Sequence, residues 1–121
     1  MANQIKASFD LTTVEGQMKA FNAQNGSSIS LKALENGTVI EAVGVMQYEE
    51  KIDSYGNDQD AVVTVIFAKD GASYAGVSDT VAKAGSKLID FLGATGLTQF
   101  NVKVVKQKSG KGNEFLNIQL V

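Results

Sequence analysis

Four lysines stand within thirteen residues, "KVVKQKSGKGNEF", Lys103 to Phe115, in a chain whose formal net charge is −2. If the segment folds as a hairpin about "SGKG", then Lys106, Lys108 and Lys111 crowd one strand end and its turn. Phe100, Val102 and Val104 share one strand face and leave Lys103 on the other. In the next strand Leu116, Ile118 and Leu120 alternate with Phe115, Asn117 and Gln119, which puts Phe115 on the polar face. A ring beside ammonium groups can stack a base while the cations meet phosphates, with no dependence on sequence. The same lysines also suit a solvated hairpin whose charges keep a sheet edge from pairing with other chains.

The three tyrosines extend the first reading. Tyr48 is expected where a strand leaves the core, Tyr74 within a short strand, and Tyr55 at a loop tip between Ser54 and Gly56 with little apolar company. Phe9, Phe21, Phe67, Phe91 and Phe100 fall at periodic apolar positions and are expected in the core. All eleven basic residues are lysine. Point charges without guanidinium forks favour sequence-blind contacts over the reading of base edges.

Charge is polarised along the chain. Residues 41–70 hold two lysines against seven acids, while residues 101–121 hold four lysines against Glu114 alone. Phosphates should avoid the acidic stretch, so Glu49, Glu50 and Asp53 are expected to weaken and steer binding. The chain has no histidine and no cysteine, which removes the commonest general base, thiolate metal sites and disulfides. No catalytic constellation stands out, and neither an enzyme nor a cofactor is expected. "DSYGNDQD" lacks the ordered spacing and terminal glutamate of a calcium loop, and "SGKG" lacks the earlier glycine and following hydroxyl of a phosphate loop. No metal site is expected. "MANQIKASFD" carries no apolar run and no segment approaches membrane-spanning length, which points to a cytoplasmic protein without membrane contact.

At 121 residues with 44% hydrophobic content, the chain suits one domain, 1–121, with one core. "TTVEGQMKAF" predicts a short helix with Thr12 as N-cap, Glu15 closing a capping box, and Val14, Met18 and Phe21 on the core face. A first strand is predicted over Asn36 to Tyr48, bent at Gly44. It leads into an acidic loop, "EEKIDSYGNDQD", and a second strand, Ala61 to Ala68. "KDG" turns into a third strand, "ASYAG". Ser78 then caps a second helix with Val81, Ala84, Leu88 and Phe91 along one face, and "GATG" stops it before the final hairpin. The reading is mainly β with two short helices. Strand, strand, strand, helix, strand, strand matches the five-stranded Greek-key barrel of the OB-fold, here with an extra N-terminal helix. In such barrels the loops joining strands one to two and four to five flank the ligand. An OB-like protein-interaction module using the acidic loop and Tyr55 is the alternative that the same pattern allows.

Read in order, "FNAQNG", "NGTVIEA", "DSYG", "TVIFAKDG", "SDTVAKAGSKLID", "VKVVK" and "KGNEF" resemble the single-stranded DNA-binding proteins of the phi29-like, protein-primed Bacillus phages over nearly the whole chain. The resemblance implies a replication protein of the host cytoplasm that coats displaced single strands, shields them from nucleases and keeps them unpaired. It implies other phage replication proteins as partners, and a monomer or weak cooperative self-association on DNA. Tyr48, Tyr55 and Tyr74 look like the family's own tyrosines, and Lys103, Lys111 and Phe115 also match. Lys106 and Lys108 make this hairpin more basic than the family pattern. The sequence ends in Leu120 and Val121, apolar strand residues rather than the acidic tail of bacterial counterparts.

Overall fold

The computed structural model describes residues 5–25, 28–54, 57–108 and 114–121, with only the backbone for 51–54, 57–60, 108, 114 and 115. Its elements are β1 (Ile5–Ala7), α1 (Val14–Gln24), β2 (Ile29–Ser30), a 3-10 turn (Leu31–Ala33), β3 (Val39–Ser54), β4 (Asn57–Ala68), β5 (Ser73–Gly76), α2 (Asp79–Thr95), β6 (Phe100–Lys108) and β7 (Glu114–Leu120). The architecture is mainly β with two helices and a curled sheet. The strand order is β2-β5-β4-β3-β6-β7, with β1 alongside β3. Seven strands are present among the described residues where the sequence predicted five. The two additions, β1 and β2, have three and two residues, too short to show an alternating pattern.

The spine is β3. Along one edge it pairs with β4, and along the other its start pairs with β6 and its middle with β1. Its register slips between Ala42 and Gly44. That irregularity bends the strand and strengthens its twist, and it coincides with the expected coiling point. The acidic stretch is not a loop: β3 and β4 stay paired out to Ser54↔Asn57. A strand needs alternating apolar residues only where it crosses a core, and beyond that the backbone ladder continues without them.

Both sheet faces are covered. On β4, Thr64, Ile66 and Ala68 face α2, while Val63, Val65 and Phe67 face α1 and the N-terminal segment. This explains why "AVVTVIFA" reads as a continuous apolar run rather than an alternation. Ser78 Oγ accepts the Val81 N–H at 3.1 Å to start α2, and Gly96, at φ 72°, ends it in the left-handed region. Gly85, which weakens the helix pattern in the sequence, lies where α2 packs tightly on β3 and β4. A Cβ there would stand 2.6 Å from Thr64 Cγ2 and 2.8 Å from Gln47 Nε2. Gln47 is buried, and its amide donates to Thr64 Oγ1 at 3.0 Å and to the Ala82 carbonyl at 2.7 Å, fixing sheet to helix.

The first helix departs from expectation in two ways. Its N-cap is Thr13, whose hydroxyl accepts the Gly16 N–H at 3.0 Å. Thr12 instead donates its N–H and its hydroxyl to Asp10 Oδ1, so Glu15 closes no capping box. The buried residues are Gly16, Ala20 and Ala23, of which Ala20 and Ala23 pack with Met46, Tyr48 and the β4 side chains, while Val14, Met18 and Phe21 point outward. At Gly16 the helix passes against the N-terminal segment, where a Cβ would collide with the Asp10 carbonyl. Phe91, expected in the core, is likewise 42% exposed, and Ile89 is buried in its stead.

Candidate nucleic-acid interface

The terminal hairpin forms as its sequence requires. β6 and β7 run in register from Val102↔Leu120 to Lys108↔Glu114. Val102, Val104, Leu116 and Ile118 are buried against α2, so Lys103, paired with Gln119 on one side and Val39 on the other, leaves the sheet on the opposite face. Lys106 has the parity of the buried set but lies past its end. Its ammonium donates to the Lys32 carbonyl at 2.9 Å, and its backbone N–H donates to Asn36 Oδ1 at 2.9 Å. The hairpin is thereby tied to the segment preceding β3. Lys32, on the 3-10 turn, was not singled out from the sequence. It lies 74 residues from Lys106, and only the fold brings the two together. Lys108 and Phe115 have backbone positions only, with Gln107↔Phe115 paired. Lys111 and Tyr55 lie outside the described residues.

The two described tyrosines do not share a wall. Tyr74 pairs with Ile66 across β5 and β4 and packs, half-buried, against the α2-side cluster. It borders a groove of about 390 Å³ with Thr38, Val39, Glu41, Lys69 and Asp70. Tyr48 pairs with Val63 and is only 7% exposed on the α1 side, its hydroxyl 3.5 Å from the Ala23 carbonyl. The expectation of a ligand-facing ring is therefore corrected for Tyr48 in this conformation. The cause is α1, which covers the β3–β4 face that would otherwise present it. Burial, and next the nearby Glu50 carboxylate, raises the Tyr48 phenol above its ordinary pKa.

Beside Tyr48 the N-terminal segment completes the cover. Phe9 meets Phe67 edge-to-face, with centroids 5.4 Å apart, and the Lys19 ammonium stands 5.3 Å from the Phe9 centroid. Lys6 forms an ion pair with Asp90 at 3.0 Å and donates to Ser86 Oγ at 3.0 Å, joining β1 to α2. These two lysines serve the fold, whereas Lys106 reaches the Lys32 carbonyl where the hairpin meets the segment before β3, and Lys103 leaves the opposite face of the same strand. Among the described residues no group of three or more acids could hold a metal ion, and no helix is long and apolar enough to cross a membrane.

The described part of the hairpin offers two ammonium groups, Lys103 on its outer face and Lys106 at the junction with the segment before β3, and Tyr74 borders a groove that also holds Glu41 and Asp70. Comparison with known proteins bears on what such groups could meet. The family model described as "Phage Single-stranded DNA-binding protein" matches residues 1–121. The chain is 50% identical to the single-stranded DNA-binding protein of Bacillus phage B103, over all of this chain and 99% of that protein. It is 49% identical to those of Bacillus phages PZA and phi29, over 98% of this chain and 95% of each. No solved structure matches it.

Proposed function

Because the chain belongs to the phage single-stranded DNA-binding protein family along its whole length, we propose that it binds single-stranded DNA without regard to sequence, coating and protecting strands displaced during viral replication in the host cytoplasm. Full-length identity of about one half to three phage proteins of that name is the observation that carries the reading. The role is one of binding, without catalysis. Strand order β5-β4-β3-β6-β7, with α2 between β5 and β6, supports placing the sheet among OB-type Greek-key barrels. β1, β2 and α1 are then additions to it.

In this reading Lys103, Lys106, Lys108 and Lys111 meet phosphates, with Lys32 added to them by its position, while Tyr55, Tyr74 and Phe115 stack bases. Each ring contributes roughly 1 to 3 kcal/mol. Tyr48 joins them only when α1 moves off the sheet. Few lysines on a chain of net charge −2 imply weak binding per site, strengthened by neighbours along the strand. Other phage replication proteins are the partners this role brings with it. A gel shift with single-stranded, duplex and RNA probes tests the proposal. Retention of the single-stranded DNA probe in preference to duplex is expected, and indifference to all three probes overturns it.

A further inference from the structure

Between α2 and the β6–β7 hairpin runs an open apolar groove of about 280 Å³. Buried Leu88 and Ile118 form its floor, and Phe91 and Leu120, 42% and 43% exposed, stand at its rim. Among the described residues Lys87 is the one charged group that borders it. Its ammonium has no hydrogen bond or ion pair among those residues, in contrast to Lys6 and Lys106. At about 100° per residue, Lys87 and Phe91 share the flank of α2 turned to β7. Asp79, Ser86 and Asp90 fall on the side away from it, the last two held by Lys6 from β1.

We propose that this groove takes one base of a bound single strand, with Phe91 stacking on the base and Lys87 meeting the adjoining phosphate. A nucleotide joins a flat ring to a negative charge, and the groove offers the complement of both. Its volume falls just below the roughly 300–1,000 Å³ of a small-molecule pocket, which suits one ring system. An added peptide strand fits less well. Val121 donates its N–H to the Asn101 carbonyl, so by the two-residue period the Ile118 N–H points away from β6. There Asn117 Oδ1 already accepts it at 2.8 Å, which interrupts the ladder that strand addition needs. β7 is also the last strand of the sheet, so a nucleic-acid chain held at Lys103 on the outer face can pass over this edge into the groove. The inference rests on the single-stranded DNA reading and adds to it a contact on α2 that the hairpin does not supply.

The chain has no tryptophan, so Phe91→Trp places a single indole at the rim. Its emission, excited apart from the tyrosines, should fall as a mixed-sequence single-stranded oligonucleotide saturates the protein. An abasic strand of the same length, which brings phosphates without bases, should leave it unchanged. Fluorescence anisotropy of the labelled strand follows binding itself in parallel. Phe91→Leu, which keeps the groove apolar but cannot stack, should weaken affinity at least about fivefold with circular dichroism unchanged, and Phe91→Tyr should retain it. Lys87→Ala should make the slope of log affinity against log salt shallower by about 0.7. Unmoved indole emission on a bound strand, equal quenching by the abasic strand, parental affinity in Phe91→Leu or an unchanged slope in Lys87→Ala would each overturn the subsite. The DNA-binding function would then stand, and the groove would be left to a partner other than the strand. A parent chain that fails to shift the anisotropy at all would overturn both readings.

Discussion

Gly85 shows how one residue can be set by its neighbour across the sheet rather than by its own helix. Alanine is the better helix former by about 1 kcal/mol, yet its methyl would have to displace Thr64 Cγ2 and Gln47 Nε2, the latter held by two hydrogen bonds. Overpacking of this kind costs about 1 to 3 kcal/mol and outweighs the propensity gain. Gly85→Ala is thus expected to lower stability in chemical denaturation. Tyr48 has a role of the same structural kind. Its raised phenol pKa means that the folded chain holds this proton more tightly than the unfolded one. Its contribution is therefore intact at neutral pH and is lost as pH rises through roughly 10, where the unfolded phenol ionises. A phenolate absorbance titration should show a tyrosine lagging behind the ordinary range, and Tyr48→Phe should remove that lag and part of the alkaline destabilisation. Lys106 acts at the surface. If it meets a phosphate, Lys106→Ala should reduce the slope of log affinity against log salt by about 0.7, while an unchanged slope would leave the lysine as a tie to the Lys32 carbonyl only.

At the scale of elements, α2 and the terminal hairpin were legible because their signals are local. Ser78 and Gly96 cap the helix where the sequence places a cap and a stop, and the alternation through Phe100–Val104 and Leu116–Ile118 sets the buried face of the hairpin. The first helix was legible as a helix but not in its orientation. A stripe of Val14, Met18 and Phe21 has the spacing of a core face, and nothing local reveals that the face of Gly16, Ala20 and Ala23 is the one buried. The polar ends of β3 and β4 were read as a loop because their pairing is carried by the backbone, which leaves no mark on composition. Of the candidate site, the outward face of Lys103 was legible, whereas the cover over Tyr48 and the approach of Lys106 to the Lys32 carbonyl depend on contacts between distant segments. The cover makes its own prediction. If α1 leaves the sheet when DNA binds, Tyr48→Phe should lower the amplitude of tyrosine emission quenching with little change in affinity. An unaltered amplitude would mean that α1 stays in place and Tyr48 serves the fold alone.

For the whole molecule, polarised charge is the feature that separates this chain from a uniformly basic nucleic-acid binder. On the proposed function, the acids of β3 and β4 would repel a phosphate backbone and the lysines of the final hairpin would attract it. Neutralising Glu49, Glu50 and Asp53 to glutamine or asparagine should then tighten single-strand affinity at low salt and matter less at high salt, where the field is screened; unchanged affinity would remove the acids from any steering role. Titration of the chain with a mixed-sequence single-stranded oligonucleotide and with its duplex, at several salt concentrations, tests the proposed function most directly. Lys87 aside, five lysines at roughly 0.7 each, Lys32 and the four of the hairpin, predict a slope of log affinity against log salt of about −3.5 for the single strand, with quenched tyrosine emission and weaker binding to duplex. Equal binding to duplex, or single-strand binding that neither quenches tyrosine nor responds to salt, would contradict the account.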